Sequence, residues 1–123
     1  MEGFTLRKRL LSFKYAFKGI AALFTQPNAC IHAVVAVLVV VAGFFFGIAA
    51  WEWVAVAVCI GAVLMAEAFN SAVEALADKV SPGMDPLIGR AKDLAAGAVL
   101  LMVFGAVAVG LIIFLPKVID LLM

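Results

Sequence analysis

The chain has 123 residues, 67% of them hydrophobic and 14% charged, with a formal net charge of +1 and a mean hydropathy of +1.24. So little polar surface excludes a water-soluble globule and specifies an integral membrane protein. The net charge implies no acidic partner by itself, and no nucleic acid is expected.

In chain order, the first predicted element is an amphipathic helix over residues 6–24. Leu10, Phe13, Phe17, Ile20 and Phe24 recur at helical spacing, with Arg9, Lys14 and Lys18 on neighbouring faces, the pattern of a helix lying flat in a membrane interface. It is not a cleavable signal, because no compact apolar core ending in a small-residue cleavage site follows the basic stretch. Pro27 and Asn28 are expected to supply the turn and cap at the corner into the first span. That span is predicted over 29–46. The short uncharged stretch Gly47-Ile48-Ala49-Ala50 follows, then Trp51, Glu52 and Trp53, which suits an outer interface. The second membrane helix is predicted over 51–78, and a cytoplasmic loop over Lys79 to Arg90, where Ser81-Pro82-Gly83 and Asp85-Pro86 supply turn residues. A third helix over 90–115 completes a single 1–123 domain, its apolar part running from Leu94 to Leu115. Each span approaches the ~20 residues that cross a ~30 Å hydrocarbon core.

The basic residues set the topology. Arg7, Lys8, Arg9, Lys14 and Lys18 form one group and Lys79, Arg90 and Lys92 another, with Lys117 apart. By the positive-inside rule both groups are cytoplasmic, so the N-terminus is inside and the C-terminus outside.

Four polar residues in the second span carry the functional signal. At about 100° per residue, Glu67 and Glu74 differ by about 20° around the axis, and Asn70 and Asp78 lie close to the same line. An ionisable residue in a span costs roughly 2.5–3.5 kcal/mol by insertion scales, so such a stripe faces a bundle interior, a cavity or a substrate. With Trp51 at the outer interface and ~1.5 Å rise per residue, Glu67 lies ~24 Å across and Glu74 ~34 Å across. A hydroxyl on an amphiphile would sit near Glu67, and a soluble polyphosphate with its cation near Glu74. The plain alternative is a polar seam that fixes helix packing, although two acids in one seam repel unless protonated or shared by a cation.

Other features read as structural. Cys30 and Cys59 lack metal-ligand spacing and are expected to be reduced core residues. His32, the only histidine, is expected to pack or to meet headgroups. Ala91, Ala95, Ala106 and Gly110 permit close helix approach. No G-x-x-x-x-G-K-[ST] loop is present, so any nucleotide must be held by another arrangement.

The stretch AEAFNSAVEALADK, Ala66 to Lys79, resembles the pattern E-x-x-N-[ST]-A-[IV]-E-x-x-x-D of the small prokaryotic lipid kinases, the diacylglycerol kinase and undecaprenol kinase family. Gly89-Arg90-Ala91-Lys92-Asp93 and Ala95-Ala96-Gly97-Ala98-Val99 resemble its G-R-A-K-D motif and small-residue run. Ser12 to Ile20 and Asn28 to His32 resemble the remaining segments, and Gly110 to Lys117 leans toward the undecaprenol kinase branch. The resemblance implies an all-α membrane fold, an interfacial helix plus three spans, assembled as a homotrimer with shared active sites in the bacterial cytoplasmic membrane. It implies Mg²⁺ and ATP, with Glu67 as general base, Asn70 positioning the hydroxyl or phosphate, and Glu74 as metal ligand. Lys92 and Asp93, and less closely Lys8 and Tyr15, match nucleotide-binding positions. Gln26 stands where the family commonly has a second metal-binding Glu, Asp85 where it has His, and Cys30 where it has Arg. The nucleotide side is therefore expected at Lys8, Tyr15, Gln26, Glu74, Lys92 and Asp93, with Gln26 a weaker metal ligand than a carboxylate.

The expected activity is ATP-dependent phosphorylation of a membrane alcohol, with undecaprenol favoured over diacylglycerol. A proton-coupled or multidrug transporter is the rival, but it needs one acid near mid-membrane, whereas this chain places several toward one leaflet. A noncatalytic assembly subunit would leave the stripe and Lys92-Asp93 without a shared task.

Overall fold

The computed structural model describes residues 5–123; the first four residues of the unit expected over 1–123 lie outside them. Among the described residues four helices follow one another: α1 (Leu6–Leu23), α2 (Pro27–Phe46), α3 (Ala50–Val80) and α4 (Pro86–Leu122). The last three are long and apolar enough to cross a membrane.

Thr5 starts α1, its Oγ1 accepting the Lys8 N–H at 3.2 Å and so satisfying a donor at the helix start. Leu10, Phe13, Phe17 and Ile20 are all exposed while Leu23 is buried, which leaves the apolar stripe free to enter a lipid surface. The corner into α2 is tight. Thr25 Oγ1 donates to the Ala22 carbonyl at 2.6 Å, and the Gln26 N–H donates to Leu23 O at 3.0 Å. Pro27 takes the first helical position, so Gln26 is the cap residue and Asn28 lies inside the first turn. The capping role expected of Asn28 is corrected: the fixed φ of Pro27 sets the helix start before it.

Gly47 ends α2 in the left-handed region, φ 61° and ψ 51°, a conformation that glycine adopts without steric cost. Its N–H donates to Phe44 O at 3.3 Å, and the Ile48 N–H to Gly43 O at 3.1 Å, a closure that uses otherwise orphaned carbonyls. Ile48 is thereby turned inward onto Val56 and Ile113, with Trp53, Phe46 and Phe114 around them. Trp53 also lies over Gly43, where an added Cβ would come within 2.6 Å of the indole.

Helices α3 and α4 form an antiparallel hairpin, the most extensive helix pairing in the fold. The loop between them, 81–85, is shorter than the expected Lys79–Arg90 loop. Asp85 accounts for the difference: its Oδ1 accepts the N–H groups of Leu87 at 2.9 Å and Ile88 at 3.1 Å, and Pro86 follows at the first helical position, starting α4 early. At its other end α4 continues past the expected boundary at Leu115, through Pro116, to Leu122. A proline inside a helix forfeits one backbone bond, and neighbouring groups in a membrane bundle offset that loss. The carbonyl that Pro116 leaves without its N–H is that of Ile112; one residue on, Lys117 Nζ donates to the Ile113 carbonyl at 3.0 Å.

Two ion pairs mark the ends of the hairpin. Lys117 Nζ meets Glu52 Oε2 at 2.8 Å and Lys92 Nζ meets Asp78 Oδ1 at 2.7 Å. Glu52 is buried, and its Oε1 accepts the Ala49 N–H at 2.9 Å. No spacing within a single helix links either pair.

Gly43→Ala should destabilise the protein by about 1–3 kcal/mol through overpacking against Trp53, despite the ~1 kcal/mol gain in helix propensity. Gly19→Ala, where nothing lies within 4 Å of the added Cβ, should not. Thermal unfolding of both variants in detergent micelles checks this.

Candidate active site

The corner between α1 and α2 meets the stripe on α3. Gln26, Pro27 and Asn28 from the corner, and Glu67, Asn70, Ser71 and Glu74 from α3, line one polar cavity of about 160 Å³. Helical spacing makes the α3 half inevitable, since 67, 70, 71 and 74 share one face. The tight corner makes the other half, because Gln26 is held in an extended conformation immediately before α2.

Burial divides the cavity. Glu67 is 3% exposed and Asn70 8%, whereas Glu74 and Gln26 are exposed. The stripe thus runs from a closed end at Glu67 to an open end at Glu74. Asn70 Oδ1 is fully enclosed and has no hydrogen-bond partner within the protein, an expensive state unless a ligand or water supplies a donor or a cation. Lys92 stands at the open end on Asp78, within electrostatic reach of Glu74.

The site residues expected from the sequence separate into two groups. Gln26, Glu67, Asn70 and Glu74 are brought together. Lys8, Tyr15 and Asp93 are exposed and do not line the cavity, and Lys92 is engaged by Asp78. Ser71 and Asn28 are additions; Ser71 follows Asn70 on the same face, a signal the stripe already contained.

His32 makes a contact that the sequence does not show. It was expected to pack or to meet headgroups, yet its Nε2 lies 3.3 Å from Glu67 Oε1. No spacing in the sequence links positions 32 and 67, since only the crossing of α2 over α3 brings them together. Cys30 also departs from the expected core role: it is a free, exposed thiol whose Sγ–H donates to Phe24 O at 3.1 Å. Cys59 is free and partly buried.

Beside His32 begins a second cavity of about 230 Å³ between α2, α3 and α4, walled by Val39, Val56, Ile60, Val103 and Phe114 among others. Ala106 and Gly110 line it too. Hydrocarbon on one side and oxygen donors on the other therefore meet at His32 and Glu67, an arrangement that suits an amphiphile with one reactive polar end.

The family model described as prokaryotic diacylglycerol kinase matches residues 14–114. The chain belongs to that family. The undecaprenol kinase of Bacillus subtilis is 35% identical over 113 residues, covering 91% of this chain and 92% of that protein. The diacylglycerol kinase of Synechocystis is 36% identical over 115 residues, 92% of this chain and 66% of that protein. The diacylglycerol kinase of Escherichia coli K12 is 34% identical over 94 residues, 76% of this chain and 77% of that protein. The family's kinases need a place for charged phosphates, and the open end of the polar cavity, with Lys92 beside it, is chemically suited to them.

The donor set also fits a hard divalent cation. Among the described residues no three acids, histidines or cysteines converge on one point, so a complete protein cage is absent. The Glu74 carboxylate, the Gln26 amide and the unpartnered Asn70 Oδ1 offer oxygens of the kind such a cation takes, while phosphate oxygens and water complete its shell.

Gln26→Glu should tighten divalent cation binding by adding a carboxylate to this wall. Titration with Mn²⁺ followed by electron paramagnetic resonance reads the change directly, and an unaltered affinity would place the side chain outside the metal site.

Proposed function

We propose that this chain transfers the γ-phosphate of Mg-ATP to the hydroxyl of a membrane alcohol, with undecaprenol favoured as acceptor and diacylglycerol as the alternative. The observation that carries the reading is the buried Glu67 carboxylate, which shares one cavity with the unpartnered Asn70 Oδ1 and with Glu74 and Gln26. The chain acts as a homotrimer in the bacterial cytoplasmic membrane, with the N-terminus and the open end of the cavity toward the cytoplasm. The preference for undecaprenol rests on the nearly full-length likeness to the Bacillus protein and on the Gly110 to Lys117 ending.

Phosphoryl transfer asks the protein mainly to position groups and to neutralise charge. The lipid hydroxyl comes from the apolar cavity to Glu67, which accepts its proton as the oxygen attacks the γ-phosphorus. Asn70, beside Glu67 in the same cavity, positions that hydroxyl or the phosphate. The bond between the γ-phosphorus and its bridging oxygen breaks, and ADP leaves toward the open end. Glu74 and Gln26 would hold the cation, which when bound offsets the negative charge of the phosphate oxygens. Lys92 exchanges Asp78 for phosphate, while Asp93, Lys8 and Tyr15 hold other parts of the nucleotide from the exposed face.

The deciding assay offers undecaprenol and diacylglycerol side by side in mixed micelles with γ-labelled Mg-ATP. Glu67→Gln should lower turnover by about 10²–10⁴-fold, the usual contribution of a positioned base, and leave nucleotide binding intact. Retained turnover would remove Glu67 as the base. Glu74→Gln should raise the Mg²⁺ concentration needed for half-maximal activity by roughly 10–100-fold, a range typical of groups supporting metal sites. An unchanged Mg²⁺ titration would remove Glu74 from the metal shell.

A further inference from the structure

A buried base is useful only if one of its oxygens is aimed at the proton it takes. Glu67 reaches the cavity on a flexible side chain, and nothing on its own helix fixes the carboxylate: Asn70 and Glu74 lie farther along the same stripe, and Glu74 repels it. From α2 and the corner before it come Gln26, Asn28 and His32; on α4, Lys92 is taken by Asp78. Of these, His32 makes the close approach, with Nε2 at 3.3 Å from Glu67 Oε1. The Glu67 side chain is 4% exposed and that of His32 22%. The imidazole also lines the apolar cavity beside Val35, Val39 and Val63, so water has little access from that side to compete for the carboxylate.

We propose that His32 is a positioning residue for phosphoryl transfer. Its Nε2–H donates to Glu67 Oε1 and holds the carboxylate so that Oε2 is left for the acceptor hydroxyl. The histidine neither touches the phosphates nor takes the substrate proton; it acts through Glu67. This rests on Glu67 being the base. It assigns a task to a residue whose position in the sequence suggests packing or a headgroup contact.

The test separates donor from bulk. His32→Phe keeps a ring of similar size without the N–H, and His32→Gln keeps an N–H donor of similar reach without the ring. His32→Phe should lower kcat by roughly 10–100-fold, as loss of a group orienting a reactive one commonly does, with KM for Mg-ATP unchanged. His32→Gln should recover most of kcat. In a Glu67→Gln background, His32→Phe should cause no further loss. A packing role predicts the reverse order, with Phe active and Gln impaired, and that result would overturn the proposal.

Because His32 is the only histidine, ¹⁵N-histidine labelling gives the wild-type protein one imidazole to observe, with no need for a folded His32 variant. Glu67→Gln should shift the Nε2 resonance while leaving Nδ1 nearly unchanged; an unmoved Nε2 would overturn the hydrogen bond. Turnover surviving in Glu67→Gln would defeat the base assignment itself. A dead Glu67→Gln beside a fully active His32→Phe would leave the base assignment standing and defeat only the role of His32.

Discussion

The register of α3 against α4 is held by ion pairs at both ends, Glu52 with Lys117 and Asp78 with Lys92, and the depth of every polar group on α3 follows from it. Along α3 the two acids are about 26 residues apart, or ~39 Å at the helical rise, which exceeds a ~30 Å hydrocarbon core. Both pairs can therefore reach the interfaces while the apolar stretch between them stays in lipid. Exposed pairs such as Lys92–Asp78 contribute little stability one by one. Their effect here is on alignment: a slip of one turn between the helices would carry a charge into hydrocarbon. With α3 fixed in depth, Glu67 falls just inside the boundary and Glu74 beyond it.

That placement gives the cavity its two ends. At the closed end a carboxylate and an amide oxygen are hidden from water, where their interactions with a hydroxyl are strong. At the open end Glu74, Gln26 and Lys92 remain accessible to a soluble, highly charged molecule. One helix thus carries polar groups from a closed end to an open one, and the tight corner before α2 closes the wall opposite. Gln26, on that wall, offers an amide and no negative charge.

Much of this was legible in the sequence because it depends on periodicity. The apolar spans, the interfacial face of α1 and the alignment of Glu67, Asn70 and Glu74 follow from helical spacing alone. Gln26 entered through the family motif rather than through spacing, since it lies outside any regular element. What escaped depends on where separate helices cross. His32 against Glu67, and Glu52 against Lys117, are contacts between helices, and no pattern within one helix encodes them. The loop after α3 is shorter than its turn residues suggest because the Asp85 side chain caps α4. The last helix runs past Leu115 because a proline in an apolar helix is tolerated more readily than the same residue in water.

The buried Glu52 also bears on how the chain is made. Its ammonium partner lies 65 residues further on and is synthesised only after α3, the loop and nearly all of α4. Throughout that interval the carboxylate has the Ala49 N–H but no counterion. Insertion of the α2–α3 hairpin must therefore be completed with an unpaired acid near its tip, and the arrival of Lys117 closes the bundle last. Truncation just before Lys117 would leave the nascent protein with all three apolar segments and without the contact that locks them together.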